Sequence, residues 1–437
     1  MGHLVGKDIY RKLGKKVDNL TLRAPWNDTL FAILKEIYTE EEANVVVRMP
    51  YVLSNLERIA DITGYAPARL RTILDDLCDK GLILDLWVND EYNYMPSPLM
   101  VGIFEFTMMR TGNNVNSKEL GKLFHQYIDD NKAFFSANFN DDMRVSIMRT
   151  LPHEEAVRQG EYMEILDYEK ASELIESSSK FAVSLCSCRH EKLHAEKKEC
   201  DVPLESCTTF GYGADYIIRH NLGKEISKSE MRDLFIRSKE MGLVLNADNV
   251  QNNLAFVCHC CKCCCNPLLG IRVFGYPHSL VTSNFIAEID SSACVGCGKC
   301  AKACPIEAVE MVPVPKGQGK GKKLAKVDSS ICLGCGVCAL PCKFEACRLC
   351  KRGQRVIHPE TTFERVMLQC LERGTLQNQI FDNPQSLGHK FMRGFVGGFL
   401  NLSPVKRALM SDTMRSRFLA AMKKGVEKQG KGWLAEM

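Results

Sequence analysis

The sequence predicts an α+β protein built as a series of units, and three observations carry that prediction. Apolar residues recur at helical spacing until about residue 80 and then give way to a strand-turn-strand pattern. Cysteines gather in tight groups from residue 186 onward, and lysine and arginine mark residues 389 to 431. With 437 residues, 45% of them hydrophobic and 25% charged, the chain can bury two or three cores. A formal net charge of only +4 gives no global pull toward nucleic acid. The 22 cysteines are bunched in a long chain, which reads as metal or cluster ligation and not as the spread framework of a small secreted disulfide protein.

The first unit spans residues 1–110. Lys7, Arg11, Lys12, Lys15 and Lys16 lie near the start, with no apolar stretch of the kind that targets secretion, so a cytoplasmic location is expected. Nowhere do 18 apolar residues run together, which argues against a membrane span. Leu30, Ile33, Leu34 and Ile37 predict an amphipathic helix ahead of the acidic run Glu40-Glu41-Glu42. Ser54, with Glu57 three residues on, is read as the cap of a second helix burying Leu56, Ile59 and Ala60 and ending at Gly64. Pro67 opens a third helix whose apolar face is Leu70, Ile73, Leu74 and Leu77, with Gly81 as its stop. Residues 82–88, the turn residues Asn89-Asp90 and residues 92–95 then read as a β-hairpin.

Helix, helix, hairpin resembles a winged helix. That resemblance implies a third helix able to enter a major groove. Here Arg69, Arg71 and Lys80 are set against Asp75, Asp76 and Asp79, a mixed face that argues against nucleic acid and for protein docking.

Residues 111–180 read as a helical connector, with Leu120, Leu123, Phe124 and Tyr127 on one face and Ile165, Leu166, Leu174 and Ile175 farther on. A cysteine-rich domain is expected over 181–284. The strand-like run at 181–185 delivers Cys186 and Cys188, followed by Cys200 and Cys207 in a stretch expected to be loop. Those four thiols suffice for one metal ion or one cluster. A helix from Ser229 to Met241 leads to Cys258, Cys260, Cys261, Cys263, Cys264 and Cys265, six cysteines within eight residues. Adjacent side chains in a regular element cannot all face one metal, so this run is expected to be a loop serving more than one site, shared across space with the earlier cysteines. An additional [4Fe-4S] cluster is favoured there over zinc. His259 is read as a donor behind the ligands, and Arg189 as a cation offsetting thiolate charge.

The most specific signal lies within residues 285–350. Cys294, Cys297, Cys300 and Cys304-Pro305 have the spacing C-x2-C-x2-C-x3-C-P, and Cys332, Cys335, Cys338 and Cys342 repeat it with Lys343 in place of proline. Three thiolates from a tight loop can hold three corners of a cubane while a fourth comes from elsewhere, and Gly296, Gly298, Gly334 and Gly336 let the loops wrap around it. The segment resembles bacterial two-cluster ferredoxins. That resemblance implies two [4Fe-4S] clusters, one on Cys294, Cys297, Cys300 and Cys342, the other on Cys332, Cys335, Cys338 and Cys304. The basic insertion Lys316 to Lys323 reads as a solvated hairpin tip or a dock for an acidic redox partner, and Cys347 and Cys350 are unassigned.

The order of these units looks like that of larger ferredoxin-domain proteins of anaerobic prokaryotes, whose implied role is electron transfer. Residues 351–437 read as a basic helical tail. Phe391, Phe395, Val396, Phe399 and Leu400 give it apolar surface, and Gly394, Gly397 and Gly398 are expected to interrupt it. It packs on its own protein or makes peripheral membrane contact.

The functional expectation is an electron-transfer component of an oxidoreductase system, with redox proteins as partners, no acid-base residue, and oligomeric state left open. The alternatives are a redox-responsive winged-helix regulator and a reductase whose substrate sits on the extra cysteine site. No dinucleotide-binding fingerprint stands in a strand-to-helix setting.

Overall fold

The computed structural model describes residues 2–112, 116–130, 132–314 and 323–436. Helices α1 (Gly2–Asp18), α2 (Asp28–Ile37) and α3 (Glu40–Arg48) come first. α2 buries Leu30, Ile33, Leu34 and Ile37, as the spacing predicts. The acidic run starts a helix of its own: Thr39 caps α3 and Glu42 closes a capping box, placing three carboxylates where the helix dipole favours anions.

A three-stranded sheet, order β1-β3-β2, combines β1 (Ser54–Asn55), β2 (Ile83–Val88) and β3 (Glu91–Pro96) with α4 (Leu56–Thr63) and α5 (Pro67–Asp79). Ser54 is not the cap of α4. It pairs with Tyr94 in the ladder, and Asn55 takes the cap, accepting from the Arg58 N–H. The hairpin turn holds Asn89 and Asp90 at φ 53° and 60°, the left-handed pair that a two-residue connection needs.

Next come α6 (Phe104–Met109), α7 (Ser117–His125), α8 (Ala133–Phe139), β4 (Met148–Leu151) and α9 (Ala171–Glu176), followed by β5 (Phe181–Leu185), α10 (Ser187–His194), β6 (Glu205–Phe210) and α11 (Gly211–Arg219). β7 (Lys224–Glu225), α12 (Lys228–Glu240), β8 (Val244–Asp248), β9 (Phe256–Cys260) and α13 (Asn266–Arg272) complete the middle of the chain. Its antiparallel six-stranded sheet has the order β4-β8-β9-β6-β5-β7.

Residues 111–180 are therefore not wholly helical, because β4 is an edge strand of that sheet. Its sequence hides this. Arg149 and Thr150 sit in it fully buried, Arg149 donating to the Tyr168 and Val250 carbonyls (2.6 and 3.0 Å) and Thr150 to Asn246 (2.9 Å). α7 buries Leu120 and Phe124 as expected, and Tyr127 is buried just beyond it. α11 holds the first sheet: Arg219 pairs with Asp85 at 2.8 Å and Tyr216 donates to the Ile83 carbonyl at 2.8 Å.

β10 (Phe285–Ile289), α14 (Lys299–Ala303), β11 (Val309–Pro313), β12 (Lys323–Val327) and β13 (Cys347–Lys351) form two antiparallel pairs, β10 with β13 and β11 with β12. Residues 315–322 of the basic insertion lie outside the described residues; Lys323 begins β12 opposite Pro313.

The C-terminal helices are α15 (Thr362–Arg373), α16 (Leu376–Ile380), α17 (Leu387–Leu400), α18 (Ser403–Met410) and α19 (Asp412–Lys428). The tail glycines do not interrupt α17, which runs through all of them. Gly397 is buried against Gln377, where a Cβ would come within 3.1 Å, so its smallness serves packing. Leu387, Phe391, Phe395 and Phe399 stand out at 82%, 73%, 70% and 58% exposure, an uncovered stripe at four-residue steps. No helix among the described residues is long and apolar enough to cross a membrane.

Candidate metal centres

The repeated motifs surround two cavities. One is lined by Cys304, Cys332, Cys335 and Cys338 together with Pro305, Ile306, Leu333 and Val309. The other is lined by Cys294, Cys297, Cys300 and Cys342 with Ile289, Val295 and Met311. Each cavity thus takes three thiols from one motif and the fourth from the other. Gly296 and Gly334 hold φ of 70° and 71°, and a Cβ there would collide with the carbonyl oxygens of Lys323 and Phe285. That close approach is why the loops can curl. The Ala308 N–H donates to Cys304 Sγ at 3.2 Å, the kind of bond that stabilises a cluster thiolate. Burial pushes the Cys300 thiol up to about 11 and Cys335 well above its ordinary value. Such thiols ionise when a cation balances them, so the donors, the apolar lining and the room between them fit an iron–sulfur cluster.

The family described as 4Fe-4S dicluster domain matches residues 293–346. Residues 293–346 form a ferredoxin-type iron–sulfur domain. The match indicates [4Fe-4S] binding and covers this module alone. No curated protein and no solved structure matches the chain.

Cys347 and Cys350 part company on β13. Cys347 lines the second cavity and lies 3.7 Å from Cys338 Sγ, between the two cysteine sets. Cys350 points to the other face and donates to Glu288 at 2.8 Å; burial, reinforced by that carboxylate, pushes it up to about 12.

Upstream, the cysteine run is not a loop throughout. β9 extends to Cys260, and the strand's period of two puts Cys258 and Cys260 on one face and His259 on the other. Cys207, expected in a loop, lies on β6 directly opposite Cys258. Cys186 caps α10, with Cys188 in its first turn, and Cys265 caps α13. These elements gather Cys186, Cys188, Cys207, Cys258, Cys260 and Cys265 into one pocket, with Cys207, Cys260 and Cys265 buried and the other three half-buried; Cys258 neighbours Cys207 and Cys260, and Cys260 neighbours Cys265. Cys200 does not join them. It meets Cys261, Cys263 and Cys264, and these four sulfurs all lie within 4.8 Å of one another.

Arg189 stands between the two groups. It is fully buried, donates from Nε to Cys261 Sγ at 3.3 Å, and is held by Ser206 and the His259 carbonyl. Burial works against its charge, but the cysteine sulfurs on both sides, those of Cys186 and Cys261 foremost, outweigh that cost and hold its proton firmly. Contact with Cys264 and the Arg189 charge draw Cys261 down to about 5, whereas burial drives Cys186 up to about 12.

His259 reaches no thiol through its ring. Nδ1 meets Ser238 Oγ at 2.7 Å, Nε2 meets Thr208 Oγ1 at 3.1 Å, and burial holds the ring neutral with a pKa of about 3. The polar neighbours of the pocket are instead Asn246, beside Cys260, and the Asn266 N–H, beside Cys188. Adjacency to Cys265 could have pointed to Asn266; nothing local points to Asn246. The cysteine turn also touches the ferredoxin module, since Lys262 and Arg272 both pair with Glu307, at 3.0 and 3.2 Å, three residues after Cys304.

Proposed function

We propose that this protein is an iron–sulfur electron-transfer component that passes single electrons through two [4Fe-4S] clusters. One sits on Cys294, Cys297, Cys300 and Cys342, the other on Cys332, Cys335, Cys338 and Cys304. The observation that carries this reading is the pair of separate cavities, each lined by four motif cysteines drawn crosswise, three from one motif and one from the other. Bound clusters supply one-electron storage. The chain's own residues hold them, exclude water and set their potentials through N–H···S bonds and burial.

The six-thiol pocket is a third iron–sulfur centre. It feeds the module across the contact made by Lys262, Arg272 and Glu307. Electrons leave at the other end, where Cys297 is exposed beside the exposed Lys299 and Phe344, a surface suited to an acidic redox protein.

The winged-helix-like N-terminal domain docks protein and does not read DNA. Arg69 is paired with Glu41, and Lys80 with Glu42, so two of the three basic groups named on that helix are already neutralised. The bare stripe of α17, with exposed Lys390 and Arg407 nearby, suits peripheral contact of a cytoplasmic protein with an anionic membrane. Flotation with anionic vesicles, abolished by Phe391→Asp and Phe395→Asp together, tests that contact.

The deciding experiment counts iron and sulfide and records EPR spectra on full-length protein purified without oxygen. About eight irons belong to the ferredoxin module, with about four more in a cluster lost on Cys186→Ser and Cys188→Ser. Fewer than about eight after reconstitution overturns the two-cluster reading.

A further inference from the structure

The two upstream cysteine groups differ in how far apart their sulfurs stand. Cys200 Sγ lies 3.6 Å from Cys261 Sγ, Cys261 lies 4.0 Å from Cys263, and Cys263 lies 3.4 Å from Cys264. All four sulfurs fall within 4.8 Å of one another, and no other four cysteines among the described residues do so. A tetrahedral ion with zinc–sulfur bonds of about 2.3 Å needs sulfurs about 1.63 times that apart, or about 3.8 Å. The observed contacts straddle that value. They are also too long for disulfides, whose S–S bond is about 2.05 Å.

A cubane imposes the opposite geometry, because four irons and four sulfides must fit between the thiolates. The ferredoxin cysteines meet that need by standing farther apart around their two cavities, neither set of four having all its sulfurs within 4.8 Å of one another. The upstream four leave space for one ion. We infer that Cys200, Cys261, Cys263 and Cys264 bind a single zinc ion, separate from every iron–sulfur centre.

The surroundings suit a closed structural site. Cys261 and Cys264 are buried, and Val202 and Leu243 pack with them. Four thiolates around a divalent ion leave two negative charges, which the buried Arg189 at 3.3 Å from Cys261 partly offsets. The ion ties the irregular segment between α10 and β6 to the turn between β9 and α13. That same turn carries Cys260 and Cys265, so the zinc fixes the loop that presents two thiols to the six-thiol pocket. This positioning role rests on the function proposed above; the zinc site does not.

The test is zinc and iron content of full-length protein purified without oxygen, with X-ray absorption at the zinc edge. We expect about one zinc per chain surrounded by four sulfurs at about 2.3 Å, lost in Cys200→Ser and in Cys263→Ser while the ferredoxin EPR signals persist. Wild-type protein without zinc, zinc with nitrogen or oxygen ligands, or iron lost in place of zinc would each overturn the inference. Should the variants fail to fold, the wild-type zinc edge decides alone. Zinc present with iron low would sink the electron-transfer reading and leave the zinc site standing; full iron without zinc would do the reverse.

Discussion

The ferredoxin module and the region before it are both rich in cysteine, yet they assemble their sites by opposite means. In the module, short loops wrap each cavity, and only one thiol per set crosses over from the other motif. Upstream, six thiols converge from two strands and the starts of two helices, spread from residue 186 to residue 265. A loop site survives whatever surrounds it as long as the loop can curl. A site assembled from a sheet and caps exists only when the sheet is correct, so any metal bound there depends on the whole sheet.

The largest effect separates the two cysteine sets of the module. Cys304→Ser alone is expected to cost about four irons, and Cys304→Ser with Cys335→Ser no more than that, because both serve one cavity. Cys300→Ser with Cys304→Ser, from a single motif, is expected to cost about eight. Iron counts and EPR of the three variants check the crossing; equal loss in both doubles would break it.

Next in size is Arg189→Gln. Arg189 touches the compact four and sits beside the six, and breaking a buried charge pair costs about 3 to 5 kcal/mol. Upstream metal is expected to fall in both groups while the ferredoxin EPR signals stay. Loss confined to the four would show that the six-thiol pocket does not depend on this cation.

What the sequence made legible follows the same division. The motifs at 294–304 and 332–342 were readable because their ligands are close in sequence and their glycines sit where the backbone must turn back on itself. The helices α2, α4 and α5 and the hairpin were readable from spacing and turn residues. β4 was not, because Arg149 and Thr150 interrupt its apolar pattern and find their partners on distant segments. The sorting of Cys200 away from Cys186, Cys188 and Cys207 was equally hidden, since it depends on the register that sets Cys207 against Cys258. Period two in residues 256–260 was available, but six cysteines in eight residues masked it.

A smaller effect tests the curling loops. Gly334→Ala sets a Cβ against the Phe285 carbonyl at φ 71°, and is expected to cost about 3 kcal/mol or more, with the iron of its cavity. Gly298→Ala has a similar φ, 73°, but meets nothing closer than Met311 at 3.9 Å, so about 1 to 2 kcal/mol is expected. Denaturant midpoints and iron content of the two variants measure the difference between strain and collision.

A last effect, comparable with that of Gly298→Ala, concerns acid, and it separates the regions by residue type. No histidine lies within residues 285–350, whereas the middle sheet is packed around His259 and His358. His358 is buried, donates from Nδ1 to Asn249 Oδ1 at 2.7 Å, and is held neutral with a pKa of about 3 by burial and by the nearby Arg149 and Arg355. Below its unfolded pKa of about 6.5 the unfolded chain binds a proton that the folded chain refuses, so stability falls as pH falls. Between pH 6.5 and 5 this loss is about 2 kcal/mol for one such histidine. Amide hydrogen exchange at pH 7.5 and pH 5, corrected for intrinsic rates, is expected to show β4 and β8 opening before β10 and β13. His358→Gln removes the titrating group, and its stability is expected to lose part of the wild-type slope over that range. An unchanged slope would place the sheet's acid sensitivity on its other buried histidine, His259, and not on His358.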